Sequence, residues 1–240
     1  MAKRVVVVGA GTEIGKTHVS CLLLQALRRR GEQWQGIKPI ESGVAPGQLA
    51  RSDAARLAQA AGHERRRPRY LFVEPISPHL AARRSDITIE LEEVARWVAT
   101  FGDSDLVIET AGGLMSPLNE GTANLELVER ITADGVVVVV ADRLGALHDV
   151  NSMMTLLGAR HPSLCENDAV MVALCAPHSA DASTGTNAAE VLTLGIASQV
   201  VTVPRANTDS EEVRGVGKSL VAWCDKLVPG TLTGLATSVG

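Results

Sequence analysis

The chain has 240 residues, 45% hydrophobic and 21% charged, with a net charge of −4. That length and composition fit a folded α/β chain with a real core, read as one domain over residues 1–240. No apolar run approaches the ~20 residues that span a bilayer, and a net negative charge without interleaved aromatic and basic residues speaks against a general nucleic-acid binder.

Val5 to Val8 is an unbroken β-branched run and predicts a strand buried on both faces. It follows Lys3 and Arg4 like the start of a signal peptide, but gives way to Gly-Thr-Glu-Ile-Gly-Lys, which no apolar signal core contains. Lys16 to Arg30 carries helical apolar spacing at Val19, Leu22, Leu23, Ala26 and Leu27, with Gly31 as its stop. Gln35 to Pro39 reads as a short strand and Ser52 to Ala61 as an Ala-rich helix ended by Gly62. Ser77 to Asp86 has little pattern and reads as loop. Thr88 is the expected N-cap of a helix over Glu90 to Phe101, whose early glutamates suit the helix dipole. Leu106 to Ile108 predicts a strand, Asn124 to Ile131 a helix, and Val136 to Ala141 the strongest strand of the chain. A helix over Val150 to Leu157, strands over Ala169 to Cys175 and Val200 to Val203, and a helix over Ser210 to Leu227 follow. Asp209 or Ser210 caps the last helix, and a Gly/Thr/Ser-rich tail from Gly230 is expected to fray. The alternation implies a mostly parallel sheet with helices on both faces.

Two features of composition carry into the motifs. Six residues are aromatic, and of 23 basic residues only Lys3, Lys16, Lys38, Lys218 and Lys226 are lysines. The arginine runs 28–30 and 65–67 read as helix ends or solvated faces. Cys21, Cys165, Cys175 and Cys224 lack C-x-x-C spacing and read as reduced thiols of a cytoplasmic protein, and the six histidines show no metal-ligand spacing.

The sharpest local feature is Gly9-Ala-Gly-Thr-Glu-Ile-Gly15-Lys16-Thr17 between the first strand and the first helix. A dinucleotide-binding unit needs an acid at the end of the second strand. That strand ends in Lys38-Pro39, and Glu41 lies too far along. A phosphate loop explains more. Backbone N–H groups and the helix N-terminus hold phosphates, Lys16 reaches the terminal phosphates and the Thr17 hydroxyl ligates Mg²⁺. A bare structural turn has no need of a cation at a helix start, where it opposes the dipole. The spacing departs from G-x-x-x-x-G-K-[ST], since position 10 is Ala and the first glycine comes one residue early. A phosphate-loop enzyme also needs a carboxylate for its metal. Glu109, followed by Thr-Ala-Gly112-Gly113, is preferred over Asp142, for which a turn or capping role is an equal alternative.

Further segments extend the pattern in order along the chain. They are Lys38-Pro39-Ile40-Glu41-Ser42-Gly43, Ser52-Asp53-Ala54, Glu74-Pro75-Ile76-Ser77-Pro78-His79, Glu109 to Gly113 with Pro117-Leu118, and Leu144-Gly145. Together with the loop at Gly9 to Thr17, this set resembles the dethiobiotin synthetases over residues 4 to about 150, with a looser likeness beyond. The resemblance implies an ATP-dependent cyclo-ligase that closes 7,8-diaminopelargonic acid and CO₂ into a cyclic urea through a carbamate and a carbamic-phosphoric anhydride. It implies Lys16 on the β/γ-phosphates, Lys38 facing the carbamate and the phosphate in flight, and Thr12 on carbamate or γ-phosphate oxygens. Ser42 then binds substrate, and Thr17, Asp53 and Glu109 ligate Mg²⁺. Nucleotide contacts are expected from Thr12, Glu13, Ile14, Gly15, Lys16, Thr17 and His18, from Asp53, Glu109, Thr110, Ala111 and Gly112, and from Cys175, Ala176, Val203, Pro204 and Arg205. Family members are homodimers, so Leu144, Gly145 and His148 are candidates to hold the substrate tail across the subunit interface.

The chain departs from the family at several points. Glu41 stands where a small residue is common, and either binds an amine or faces solvent. Thr110 replaces a frequent glycine. Cys175-Ala176-Pro177 replaces a strand end that often carries an adenine-reading Asn, which leaves nucleotide choice open. His148 replaces an Asn, and is a carboxylate donor or an ordinary surface histidine. Pro204-Arg205 replaces a Pro-Trp, so Arg205 is the candidate to cover the base, since guanidinium planes stack. Two other classes compete. A cobyrinic-acid-type amide ligase shares the Lys-Pro segment, but no Cys, His and Glu arrangement here suggests its glutamine-hydrolysing centre. A partitioning ATPase usually carries a second lysine early in the loop, where this chain has Gly9-Ala10-Gly11.

Overall fold

A computed structural model describes residues 1–206 and 210–230. The first strand β1 (Arg4–Gly9) enters the core directly: Val5 to Val8 are fully buried, each side chain contributing roughly 1.5–3 kcal/mol by leaving water. The glycine-rich turn follows, then α1 (Lys16–Arg29), which ends at Arg30 with Gly31 at φ 86° beyond it. Next come β2 (Gln35–Ile37), β3 (Ile40–Glu41), a 3₁₀ turn (Leu49–Arg51) and α2 (Asp53–Ala61), ended by Gly62 in the left-handed region. Then follow β4 (Tyr70–Leu71), α3 (Pro78–Arg84), α4 (Leu91–Ala99) and β5 (Leu106–Glu109). The second half runs α5 (Asn124–Arg130), β6 (Gly135–Ala141), α6 (Ala146–Arg160), α7 (Pro162–Glu166), β7 (Val170–Cys175), α8 (Asn187–Thr193), β8 (Val200–Val203) and α9 (Glu211–Asp225).

Among the described residues, β2, β5, β1, β6, β7 and β8 form one sheet in that order, and every pairing is parallel. The chain leaves β1 toward β2 on one side and later fills the other side with β6 to β8, so β1 sits where the strand order reverses. In open α/β sheets that is where ligands bind, beyond the carboxyl ends of the strands. Register brings those ends together: Val7 lies beside Glu109, Gly9 beside Val139, and Cys175 beside both Ala141 and Val203. The pair β3–β4 forms a separate parallel ribbon next to this edge. Helix α1 packs on α2 and α9, and β2 approaches α1 and α2 so closely that a Cβ on Gly36 would stand 2.4 Å from Leu24 Cδ1. No helix is long and apolar enough to cross a membrane among the described residues.

The sequence pattern places most of these elements, with five corrections. The strand from Gln35 stops at Ile37, because Lys38 and Pro39 turn away before β3 resumes in the other ribbon. Residues Pro78–Arg84 are helical, not loop: Pro78 occupies the first turn, where a missing N–H costs nothing, and Ala81 and Ala82 bury a short face. Thr88 is not a cap, since α4 starts at Leu91 after Glu90. Helix α6 starts at Ala146, four residues before the expected Val150, because Gly145 at φ 94° makes the turn into it. The short α7 and α8 carry too few turns for a periodic signal. Ser210 caps α9, accepting from the Val213 amide; Asp209 and the tail beyond Gly230 lie outside the described residues. The four cysteines are free. Arg30, at the end of α1, makes a two-pronged pair with Asp225 at 2.7 and 2.9 Å.

Candidate active site

The turn after β1 ends in Gly15, at φ 107°, where a Cβ would also lie 2.8 Å from Cys175 Sγ. Only glycine meets both conditions. Gly15 brings no side-chain cap, so the first-turn N–H groups of α1 keep their donors for an incoming anion. Lys16 folds back over the turn, and its ammonium donates to the Gly11 carbonyl. Burial lowers its pKa to about 8, against the pull of Glu109.

The centre of the site is a lysine clamped by two acids. Lys38, 7% exposed, places Nζ 2.6 Å from Asp53 Oδ2 and 2.7 Å from Glu109 Oε1. Glu109, fully buried at the end of β5, also accepts from Thr17 Oγ1 at 2.9 Å, and its Oε2 lies 3.2 Å from Ser20 Oγ. Burial opposes the Lys38 charge, but Glu109 and then Asp53 outweigh it and hold its pKa above the ordinary lysine value. Burial acts to raise Asp53, yet the charge and hydrogen bond of Lys38 keep it below the ordinary aspartate value. Asp53 and Glu109 thus converge carboxylate oxygens on the Lys38 ammonium, and the Thr17 hydroxyl donates to Glu109 beside them. That set fits Mg²⁺, which takes a few protein oxygens alongside phosphate and water.

These groups open onto a cleft of about 750 Å³, lined on the side of the glycine-rich turn by Thr12, Glu13, Gly15, Lys16, Thr17 and His18. Its other walls include Lys38, Ser42, Asp53, Glu109, Ala111 and Gly112. Ser42 Oγ donates to the Ile76 carbonyl at 2.7 Å. Burial lowers the His18 pKa, against the Pro204 carbonyl; Arg56 and Arg205 lower it further.

Other expected residues stand outside that lining. The Thr110 hydroxyl is turned inward to the Val7 carbonyl at 3.1 Å. Ile14 packs against the core. Cys175 and Val203 are buried strand ends, and burial pushes the Cys175 thiol up to about 12. Ala176 is tied to Val203 by its amide, and Arg205 is exposed just beyond. Leu144, 75% exposed, precedes Gly145 and exposed His148 at the start of α6. Asp142 is a structural residue: its carboxylate accepts from the Gly185 amide at 2.8 Å and from Asn187 Nδ2 at 2.7 Å.

Glu41 does not face solvent, although it lines the same cleft. It is 4% exposed, and its carboxylate accepts from the amides of Asp53 at 2.6 Å and Ala54 at 3.2 Å. Burial pushes its pKa above the ordinary carboxylate value, against Lys38 and the two amides. Ser20, Arg56 and Ser116 were not anticipated either. Ser20 follows Lys16 by one helical turn, a spacing that could have marked it; Ser116, whose Oγ accepts from the Gly113 amide at 2.8 Å, had no such signal.

The parallel sheet, its glycine-rich turn into a Lys-Thr helix start, and the acid on the adjacent strand define a P-loop nucleoside triphosphatase fold. A chain of the MinC:MinD cell division protein complex from Aquifex aeolicus shares this fold at TM-score 0.52 and 14% identity, the match covering 100% of this chain and 99% of that one. The protein family described as "AAA domain" matches residues 3–208. The ATP-dependent dethiobiotin synthetase BioD of Caulobacter sp. (strain K31) is 40% identical over 162 residues, 64% of this chain and 69% of the relative. That of Caulobacter vibrioides (strain NA1000 / CB15N) is 34% identical over 170 residues, 68% and 77% of the two chains. The chain belongs to the ATP-dependent dethiobiotin synthetase family.

Proposed function

We propose that the protein is the cytoplasmic, ATP-dependent cyclo-ligase of biotin synthesis that joins CO₂ to 7,8-diaminopelargonic acid to form dethiobiotin. The observation that carries this reading is the Lys38 ammonium held between Asp53 and Glu109, beside the phosphate loop. The reaction gathers anions, a carbamate and a triphosphate, and such transfers depend on positioned charge more than on covalent help from the protein.

One amine captures CO₂ and loses a proton to give the carbamate. A carbamate oxygen takes the γ-phosphoryl group, releasing ADP. The second amine attacks the carbamate carbon, expels phosphate and closes the urea ring. Thr12 and Lys16 hold phosphate oxygens, with the first-turn amides of α1 behind them. Lys38 faces the carbamate and the group in transfer, and Ser42 binds the substrate. Thr17, Asp53 and Glu109 would hold Mg²⁺, which supplies charge neutralisation at the phosphates. Leu144, Gly145 and His148, outside the cleft of a single chain, reach the substrate tail of a partner subunit in a homodimer. Arg205 covers the base.

The test is a complete mixture of ATP, Mg²⁺, bicarbonate and diamine, with phosphate release and product mass followed together. Phosphate release that depends on every component, with a product of dethiobiotin mass, is expected. Equal hydrolysis without the diamine would overturn the ligase reading and favour a switch-type ATPase. Repeating the assay with each nucleoside triphosphate defines the nucleotide preference.

A further inference from the structure

The geometry points to Glu41 as a positioning residue that fixes the first turn of α2 and so presents the Asp53 carboxylate to the cation position. This inference rests on the metal role proposed for Asp53. A helix start exposes backbone N–H groups that need acceptors. In α2 the first three all find side chains: Asp53 N and Ala54 N donate to the two Glu41 oxygens, and Ala55 N donates to Ser52 Oγ at 3.1 Å.

The division of labour matters. An aspartate in a first turn ordinarily turns toward its own helix N-terminus. Here Glu41 takes that place, and the Asp53 carboxylate instead meets Lys38 at 2.6 Å and Arg56, one turn on in α2, at 3.3 Å. Glu41 itself cannot drift. Its residue pairs with Leu71 in the β3–β4 ribbon, and its carbonyl accepts from Phe72 N at 2.9 Å. A carboxylate on one ribbon therefore sets the position of a second carboxylate on a helix, across the cleft wall both share.

Three variants separate positioning from mere helix stability: Glu41→Ala, Glu41→Gln and Ser52→Ala. Each is measured for melting temperature, for affinity toward a non-hydrolysable ATP analogue without metal, and for Mn²⁺ affinity in the analogue complex by electron paramagnetic resonance. Glu41→Ala should weaken Mn²⁺ binding by about 10–100-fold, the range for partners of metal ligands, with metal-free analogue affinity unchanged. Glu41→Gln keeps one acceptor oxygen and should fall between Glu41→Ala and wild type. Ser52→Ala removes the local cap of the same helix; it should lower the melting temperature and leave Mn²⁺ affinity intact. Wild-type Mn²⁺ affinity in Glu41→Ala, or an equal loss in Ser52→Ala, overturns the inference. A wild-type protein that binds the analogue without ever taking up Mn²⁺ overturns the metal reading of Asp53, and the inference falls with it.

Discussion

Replacing Lys38 by alanine tests the centre of the site on two scales at once. The substitution removes the ammonium from between Asp53 Oδ2 and Glu109 Oε1. Asp53 has a third of its side chain in solvent and keeps Arg56, so its loss is modest. Glu109 is fully buried and, among the described residues, keeps hydrogen bonds from the hydroxyls of Thr17 and Ser20, with the Lys16 charge acting on it without a direct bond. Stranding one member of a buried pair costs about 3–5 kcal/mol. For a chain of this length that is a melting temperature lower by roughly 6–20 °C. The same vacancy should favour a divalent cation. In the native protein the ammonium competes for the oxygens that a metal needs; in the variant those oxygens are open. Mn²⁺ should therefore bind nucleotide-free Lys38→Ala more tightly than nucleotide-free wild type, and should restore part of the lost melting temperature. Turnover should fall by orders of magnitude while the nucleotide still binds through the loop around Lys16. Thermal unfolding with and without Mn²⁺, and free Mn²⁺ counted by electron paramagnetic resonance, supply the readings. A variant as stable as wild type, or one that binds Mn²⁺ less tightly, refutes the reasoning.

Four further outcomes are expected. Gly15→Ala should lose nucleotide affinity and stability, and adding Cys175→Ala should recover only part, because it relieves the contact with Sγ but not the positive φ; full recovery in a titration would show that backbone conformation is irrelevant there. His161 is fully buried, and burial lowers its pKa below 6.5. The unfolded chain thus takes up the proton first as pH falls, and stability drops below about pH 6.5; urea midpoints at about pH 7 and about pH 5.5 should differ more in wild type than in His161→Leu, and equal differences contradict this. Asp142→Ala takes the side-chain acceptor from the Gly185 amide and one of three acceptors from Asn187 Nδ2, at a cost of about 1–3 kcal/mol, seen as faster hydrogen exchange over residues 183–187. Its metal-dependent nucleotide affinity should stay intact, and a large loss would reinstate Asp142 as a ligand. Arg205→Ala should weaken nucleotide binding, measured by calorimetry, if the guanidinium covers the base; unchanged affinity removes that role.

What could be read in the sequence follows the range of the forces involved. The run Val5 to Val8 leading through glycines into Lys16-Thr17 is a local signal, and the strand, turn and helix appear where expected. The strong strand at Gly135–Ala141 is equally local. Helix α3 has seven residues, too short for periodicity to separate it from loop, and its face depends on two small alanines. The β3 and β4 pairs are two residues each and exist only because they meet across the ribbon. The same holds in the site. Thr17, Asp53 and Glu109 could be named from their motifs, but nothing in the spacing of residues 38, 53 and 109 says that Lys38 lies between the two acids. Glu41 was the hardest case. Taken alone, an acid beside Ser42 suggests a ligand or a solvated charge, and only the arrival of α2 from twelve residues downstream makes it a cap.

The cleft also explains why two lysines in one site need not be equivalent. Among the described residues the Lys16 ammonium hydrogen-bonds a main-chain carbonyl and no side chain, and burial, helped by the Lys38 charge and opposed by Glu109, brings its pKa down to about 8. An arriving phosphate replaces a neutral partner with a charged one, so the ammonium form gains and binding at alkaline pH draws in a proton. Lys38 starts from the opposite condition. It already holds two carboxylates, one of them with no access to water, and its pKa lies above the usual lysine value. An anion that attracts Lys38 must compete with Asp53 and Glu109 unless another cation takes over those oxygens. The first lysine is therefore open to phosphate at once. The second becomes open only when the charge it balances is balanced by something else, which ties its release to occupation of the oxygen set that Glu41 helps to position.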